Sequence, residues 1–126
     1  MSTILVVEDN PSNMKLMNSV LVRSGYTVLQ ADDGDMAVIL AIEKQPDLIF
    51  MDIHMPGTDG LTATRLLKAE PRTRHIPVIA VTARAMQGDR EQILAAGCDA
   101  YLPKPIRYKE MLETAEQFLA GKGANA

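Results

Sequence analysis

The sequence predicts an α/β fold, a doubly wound five-stranded parallel sheet with helices on both faces. Three observations lead there. Short apolar runs recur at Ile4 to Val7, Leu48 to Met51 and Val78 to Val81, with weaker ones at Tyr26 to Gln30 and Ala100 to Leu102. Continuous rather than alternating hydrophobicity suits strands buried on both faces. Helical periodicity fills the gaps between the runs, and cap or turn residues mark most boundaries. Repeated strand-helix units of this kind form parallel sheets covered on both sides.

Each element has a local reason. After the first strand, Asn10 is a helix N-cap and Pro11 a first helical residue. Met14, Met17 and Leu21 follow on one helical face, and Gly25 can close that helix in a left-handed conformation. Asp32, Asp33 and Gly34 read as a turn; Met36, Ala37, Leu40 and Ala41 then line a second helix, which Gln45-Pro46 stops. The third strand ends at Asp52. A loop from His54 to Gly60 leads to a helix over Leu61 to Glu70, closed by Pro71. The fourth strand ends at Thr82, before a helix from Arg84 to Ala96 that Gly97 ends. Pro103-Lys104-Pro105 follows the fifth strand, and Met111, Leu112, Ala115, Phe118 and Leu119 mark one face of the last helix. Residues 1–120 read as one domain and residues 121–126 as a short, small and polar tail.

Composition removes several function classes. The chain has 126 residues, 47% hydrophobic and 23% charged, with a formal net charge of -3. No Lys/Arg block provides a footprint for nucleic acid or a membrane surface. No apolar run approaches the roughly 18 residues of a membrane span. The single cysteine, Cys98, cannot form an internal disulfide, and no leader precedes the first strand, so a cytoplasmic setting is expected.

In parallel α/β sheets the working site lies beyond the carboxyl ends of the strands. Glu8 and Asp9 follow the first strand, Asp52 ends the third, Thr82 ends the fourth and Lys104 follows the fifth. All five should meet at one edge. Crowded carboxylates resist joint ionisation, and a hard divalent cation such as Mg2+, or Mn2+, resolves the conflict while leaving room for phosphate oxygens. Asp52 can then act as a nucleophile toward phosphorus, with the Thr82 hydroxyl and the Lys104 ammonium holding phosphoryl oxygens. Phosphoryl transfer is mainly positioning and charge stabilisation, for which this set suffices.

The chain resembles the receiver domains of response regulators over residues 3–120. The residues that carry the resemblance are Val7-Glu8-Asp9-Asn10, Met51-Asp52-Ile53-His54-Met55-Pro56-Gly57-Thr58-Asp59-Gly60, Val81-Thr82-Ala83 and Lys104-Pro105. Each string alone is weak; their order, each at a strand end, is specific. The resemblance implies strand order 2-1-3-4-5 and phosphorylation of Asp52 by a sensor histidine kinase or a histidine phosphotransfer protein. It implies metal ligation by Asp9, Asp52 and the His54 backbone carbonyl, with Glu8 acting through water. The side chains of His54 and Arg84 would tune phosphate lifetime, and Thr82 with Tyr101 would form a conformational switch. It further implies a cis Lys104-Pro105 bond, and kinase docking at the first helix, around Asn13, Met14 and Met17, with the loop after Lys104. Such a chain is a signalling domain rather than an enzyme with a turned-over substrate, and its output is contact with a downstream protein.

Plainer readings exist for each residue. Asp9 could cap the first helix, Asp52 could be a turn residue, Tyr101 a half-buried structural tyrosine, and His54 and His75 surface loop residues. Cys98 reads as a small core residue. For Asp9 or Asp52 alone the plain reading is the better one; for five groups at one sheet edge it is not. A phosphatase of the haloacid dehalogenase type would want a second aspartate where His54 stands. A dinucleotide-binding module would need a glycine-rich loop where Glu8-Asp9-Asn10-Pro11 stands. A receiver that has lost phosphorylation and serves only as an interaction module is the remaining rival.

Overall fold

The computed structural model describes residues 2–55, 59–83 and 87–123. Ten elements alternate along the chain: β1 (Thr3–Val7), α1 (Pro11–Arg23), β2 (Thr27–Ala31), α2 (Gly34–Lys44), β3 (Leu48–Asp52), α3 (Gly60–Ala69), β4 (Val78–Thr82), α4 (Gln87–Ala96), β5 (Ala100–Pro103) and α5 (Tyr108–Gly123). All strand pairings are parallel, in the order β2-β1-β3-β4-β5. That is the order the resemblance implied.

Strand alternation divides the interior into two cores. Leu5 and Val7 face one side, packed with Ala37 and Ala41 of α2, Ala63 and Leu67 of α3, and Ile93 of α4. Ile4 and Val6 face the other, packed with Met14, Met17 and Leu21 of α1 and with Met111 and Ala115 of α5. Both faces of β1, β3 and β4 are therefore covered, which is why their sequences are continuously apolar.

Local chemistry sets the element ends. The Asn10 side chain accepts from the amides of Ser12 and Asn13 at 2.9 and 3.1 Å, so Asn10, not Asp9, caps α1. Gly25 follows α1 with φ +95°, as expected for a left-handed C-terminal position. Gln45 also adopts a left-handed conformation, with φ 50°. Its side-chain amide donates to the carbonyls of Ala41 and Ile42, offsetting part of that strain.

Several boundaries differ from expectation. β2 lies one residue later than Tyr26 to Gln30, because Ala31 completes the pairing with Val7. Gly34 is the first residue of α2 rather than a turn residue, since the Asp33 carboxylate accepts from the Met36 amide at 2.7 Å and caps the helix. Met36 is 43% exposed, not on the buried face. Ala37 and Ala41 make the contact with the sheet, and small residues there let the helix approach closely. α3 runs one residue earlier than expected, because Asp59 caps it through the Thr62 amide. β5 extends through Pro103. α5 spans Tyr108–Gly123, so the last helix extends beyond Leu119. The expected start of the fourth helix, at Arg84, lies outside the described residues.

Among the described residues, no helix is long and apolar enough to cross a membrane.

Candidate functional site at the carboxyl edge of the sheet

The strand order places β1 and β3 side by side at the centre, so the residues after them meet. The Glu8 amide donates to the Ala31 carbonyl at 3.0 Å, which continues the sheet one residue past β1. This turns the Glu8 side chain inward, where it is 2% exposed; Asp9 next to it is exposed. Asp52, at the end of β3, is 1% exposed, and its Oδ1 accepts from the His54 amide at 3.1 Å. Carboxylate oxygens of Glu8, Asp9 and Asp52 lie within 4.8 Å of one another. Lys104 arrives from the opposite side, anchored by its own amide donating to the Thr82 carbonyl at 2.8 Å. Its Nζ stands 3.3 Å from Glu8 Oε1 and 3.2 Å from Asp52 Oδ2.

The electrostatics are unbalanced. Three carboxylates face one ammonium. Burial, and then the neighbouring Glu8 carboxyl, push Asp52 up to about 7. Burial works against Glu8 ionising as well. It is outweighed by hydrogen bonding from Asp52 and the Asn10 amide and by Lys104, which hold Glu8 below the usual carboxylate range. Lys104 is partly buried, yet Asp52 and Glu8 raise its affinity for a proton. Asp52 Oδ2 and Glu8 Oε1 are buried and accept no well-aligned hydrogen bond among the described residues, although Lys104 is at ion-pair distance from both. Buried oxygens of this kind are ordinarily satisfied. Oxygen-only donors, surplus negative charge and two unsatisfied atoms fit a small, hard divalent cation. A cavity of about 360 Å³ lined by Glu8, Asp9, Pro11, Met14, Asp32 and Met36 connects this edge to solvent.

Two further sequence candidates lie on the neighbouring strands β4 and β5. Thr82, at the end of β4, is 1% exposed, and its Oγ1 shares a 3.2 Å hydrogen bond with Nε2 of His54. Tyr101 on β5 is half-buried, one strand beyond β4, and the Arg90 guanidinium carbon of α4 lies 5.5 Å from its ring centroid. Neither side-chain partner was anticipated. The His54 contact follows from the β3–β4 register, in which Asp52 pairs with Val81, and the sequence does not report that register. For Arg90 no sequence signal was available.

Gly60 is a position beside the candidate site that reasoning from sequence passed over. A Cβ at Gly60 would stand 2.2 Å from the Asp52 carbonyl oxygen and 2.9 Å from Ile53 Cα. The start of α3 thus lies directly against the Asp52 backbone, a contact that only glycine permits.

A second cavity, of about 530 Å³, lies beside Lys104 between α1 and the turn before α5. Asn13, Leu16, Met17, Pro105, Ile106 and Tyr108 line it. Leu16 is 50% exposed at its rim, and the Lys104-Pro105 peptide at its edge is cis.

Comparison with known proteins agrees with this layout. Residues 4–116 match the response regulator receiver domain family. The polar-differentiation response regulator DivK of Brucella anthropi is 47% identical over 117 residues, covering 93% of this chain and 95% of the relative, and DivK of Brucella ovis is equally similar. Among solved structures, the receiver domain of the sensor histidine kinase PA1611 from Pseudomonas aeruginosa, described with a magnesium ion in its active-site cleft, superposes with a TM-score of 0.89. It is 40% identical, over 94% of this chain and 98% of that one. The Vibrio cholerae chemotaxis protein CheY4 shares the fold at a TM-score of 0.89 and 24% identity, over 94% of this chain and 98% of its own. The chain belongs to the response regulator receiver domain family, whose work is two-component phosphorelay signalling.

Proposed function

We propose that Asp52 is the phosphoacceptor of this receiver and that the surrounding groups are its phosphorylation machinery. The observation that carries this reading is the state of Asp52 itself. It is buried at a strand end, its Oδ2 lacks an aligned hydrogen bond, and Glu8 and Lys104 flank it. Transfer from a phosphohistidine forms a bond between an Asp52 carboxylate oxygen and phosphorus as the donor's phosphorus–nitrogen bond breaks, and the imidazole leaves. Lys104 and the Thr82 hydroxyl meet the phosphoryl oxygens. Asp9, Asp52 and the His54 carbonyl would hold Mg2+ (or Mn2+), and Glu8 would reach it through water. When bound, the ion neutralises the clustered charge and the phosphoryl oxygens. A retained aspartate suits the acceptor only as a carboxylate, so Lys104 matters before the reaction as well as during it.

The groove beside Lys104 suits a histidine-bearing partner, either a sensor kinase or a phosphotransfer protein. It opens next to the acceptor, and Leu16, Met17 and Ile106 give it an apolar floor. Output then passes to a downstream protein as Thr82 and Tyr101 rearrange. The domain promotes only its own phosphorylation and dephosphorylation, in the cytoplasm, with residues 1–120 as the working unit and residues 121–126 as a tail. Intact-protein mass spectrometry after incubation with acetyl phosphate tests the acceptor. The native chain should gain one phosphoryl group only with Mg2+ present, and Asp52→Asn should gain none. An unmodified native chain that still binds Mg2+ would contradict the proposal.

A further inference from the structure

We infer that the unphosphorylated conformation is held by two side chains outside the acid cluster, His54 on Thr82 and Arg90 on Tyr101, which together set how readily the domain switches. The inference rests on the reading of Asp52, Thr82 and Tyr101 given above and adds to it the restraint that phosphorylation must overcome.

A restraint on each switch residue is visible in the geometry. Thr82 Oγ1 bonds to His54 Nε2 at 3.2 Å, which turns the hydroxyl toward the loop after β3. Its χ1 moves between staggered wells, so following a phosphoryl group on Asp52 bends or breaks that bond. Tyr101 is held from the other side. Its half-buried ring stacks under Arg90 at 5.5 Å, and turning inward removes it from the guanidinium. Both partners are exposed side chains, and neither contributes a side-chain atom to the acid cluster. One stands on the β3–α3 loop and the other on α4, so the restraint spans the strands between the acceptor and the α4 surface.

The magnitudes suit a latch that phosphorylation releases. A typical hydrogen bond shifts a two-state equilibrium by about fivefold, and an exposed cation–π contact by about threefold. A charged phosphoryl oxygen is a strong acceptor for a hydroxyl, so it can draw Thr82 away from His54 whichever of the two donates in their bond. By linkage, weakening the latch must raise affinity for whatever binds the switched state.

Beryllofluoride, a phosphoryl mimic, provides the test on the full chain with saturating Mg2+. NMR signals of the Thr82 methyl and the Tyr101 ring are followed before and during titration, each variant being read at the switch residue it does not touch. His54→Ala should move the Tyr101 signal, before any beryllofluoride is added, along the path toward its bound position. Arg90→Gln should do the same for Thr82, and the double variant should move both further. Apparent affinity should rise about fivefold for His54→Ala and about threefold for Arg90→Gln, while Arg65→Gln, a charge control on α3, stays with the native chain. Variant signals that coincide with the native ones, or a lowered affinity, would overturn the latch while leaving the acceptor reading intact. A native chain that does not respond to beryllofluoride would overturn the acceptor reading, and the latch with it.

Discussion

The two ends of the central sheet each carry aspartates and a lysine, and they use them in opposite ways. At the amino end, Asp47 accepts the amide of Thr3, the first residue of β1, and Asp99 accepts the amide of Val78, the first residue of β4, both at 2.8 Å. Lys68 completes that end, 3.0 Å from Asp99 and donating to the carbonyls of Ile76 and Arg74 at 2.7 and 3.3 Å. There each carboxylate accepts a backbone amide, and Lys68 pairs with Asp99. At the carboxyl end, Lys104 faces Glu8 and Asp52, with Asp9 alongside, and two buried carboxylate oxygens keep unused capacity. The same residue types make a structural knot at one end and the proposed phosphorylation site at the other. What differs is that Glu8 and Asp52 are buried side by side and share one lysine, with one oxygen of each accepting no aligned hydrogen bond among the described residues.

Substitutions at matched positions can break or sharpen that contrast. The largest effect is expected from glycine. Gly60→Ala forces a Cβ into the Asp52 backbone, and should cost roughly 3 kcal/mol of stability and abolish phosphoryl uptake. Gly97→Ala at the opposite end meets only the Lys68 side chain, but must adopt φ +106°, and should cost about 1 kcal/mol with uptake unchanged. Chemical denaturation and uptake rates measured together separate the two.

Next come the lysines. Lys104→Ala should slow uptake from acetyl phosphate by about 100-fold, the usual loss for one charge-stabilising donor, with little loss of stability. Lys68→Ala should behave the other way. Equal uptake rates for the two variants would erase the distinction between the two ends. Asp99→Ala strands the Val78 amide and removes the ion pair of Lys68, and should cost about 2 kcal/mol, visible as a lower denaturation midpoint with normal uptake.

The smallest effect concerns pH. Asp52 has a raised pKa, near 7, so the folded chain binds its proton more tightly than the unfolded chain does. Stability from this group is therefore fullest at low pH and declines as pH rises from the ordinary carboxylate range to about 7. In Mg2+-free buffer Asp52→Asn should be more stable than the native chain at pH 8, by on the order of 1 kcal/mol. The gap should close toward pH 4 and narrow when Mg2+ is added, in melting curves recorded across the range. A native chain that gains stability over the native-to-variant difference between pH 4 and 8 would show that Asp52 is not strained by its neighbours.

Much of this was readable in the sequence because the relevant forces are local. Buried strands announce themselves as Ile4 to Val7 or Val78 to Val81, Asn10-Pro11 starts a helix, and the carboxyl-edge rule then assembles Glu8, Asp9, Asp52, Thr82 and Lys104. Where tertiary geometry decided the outcome, the sequence was silent. Met36 has the right polarity for the buried face of α2, yet Ala37 and Ala41 take it. Lys68 and Asp99 are 31 residues apart and meet only because α3 and the turn before β5 reach the same end of the sheet. The side chain of His54 was read as a surface loop group, and it is exposed, but its bond to Thr82 depends on the register of β3 with β4. Arg90 and Tyr101 meet through the packing of α4 over β5, which no spacing rule reports.

The most direct test of the central claim is to locate the phosphoryl group. After reaction with acetyl phosphate and Mg2+, borohydride reduces an acyl phosphate to an alcohol, and peptide mass spectrometry then finds the converted residue. The account expects conversion of Asp52 within the tryptic peptide that also holds Asp47 and Asp59, with both of those and the separate peptide bearing Glu8 and Asp9 unchanged. Conversion at Asp9 or Glu8, or conversion that persists in Asp52→Asn, would contradict it.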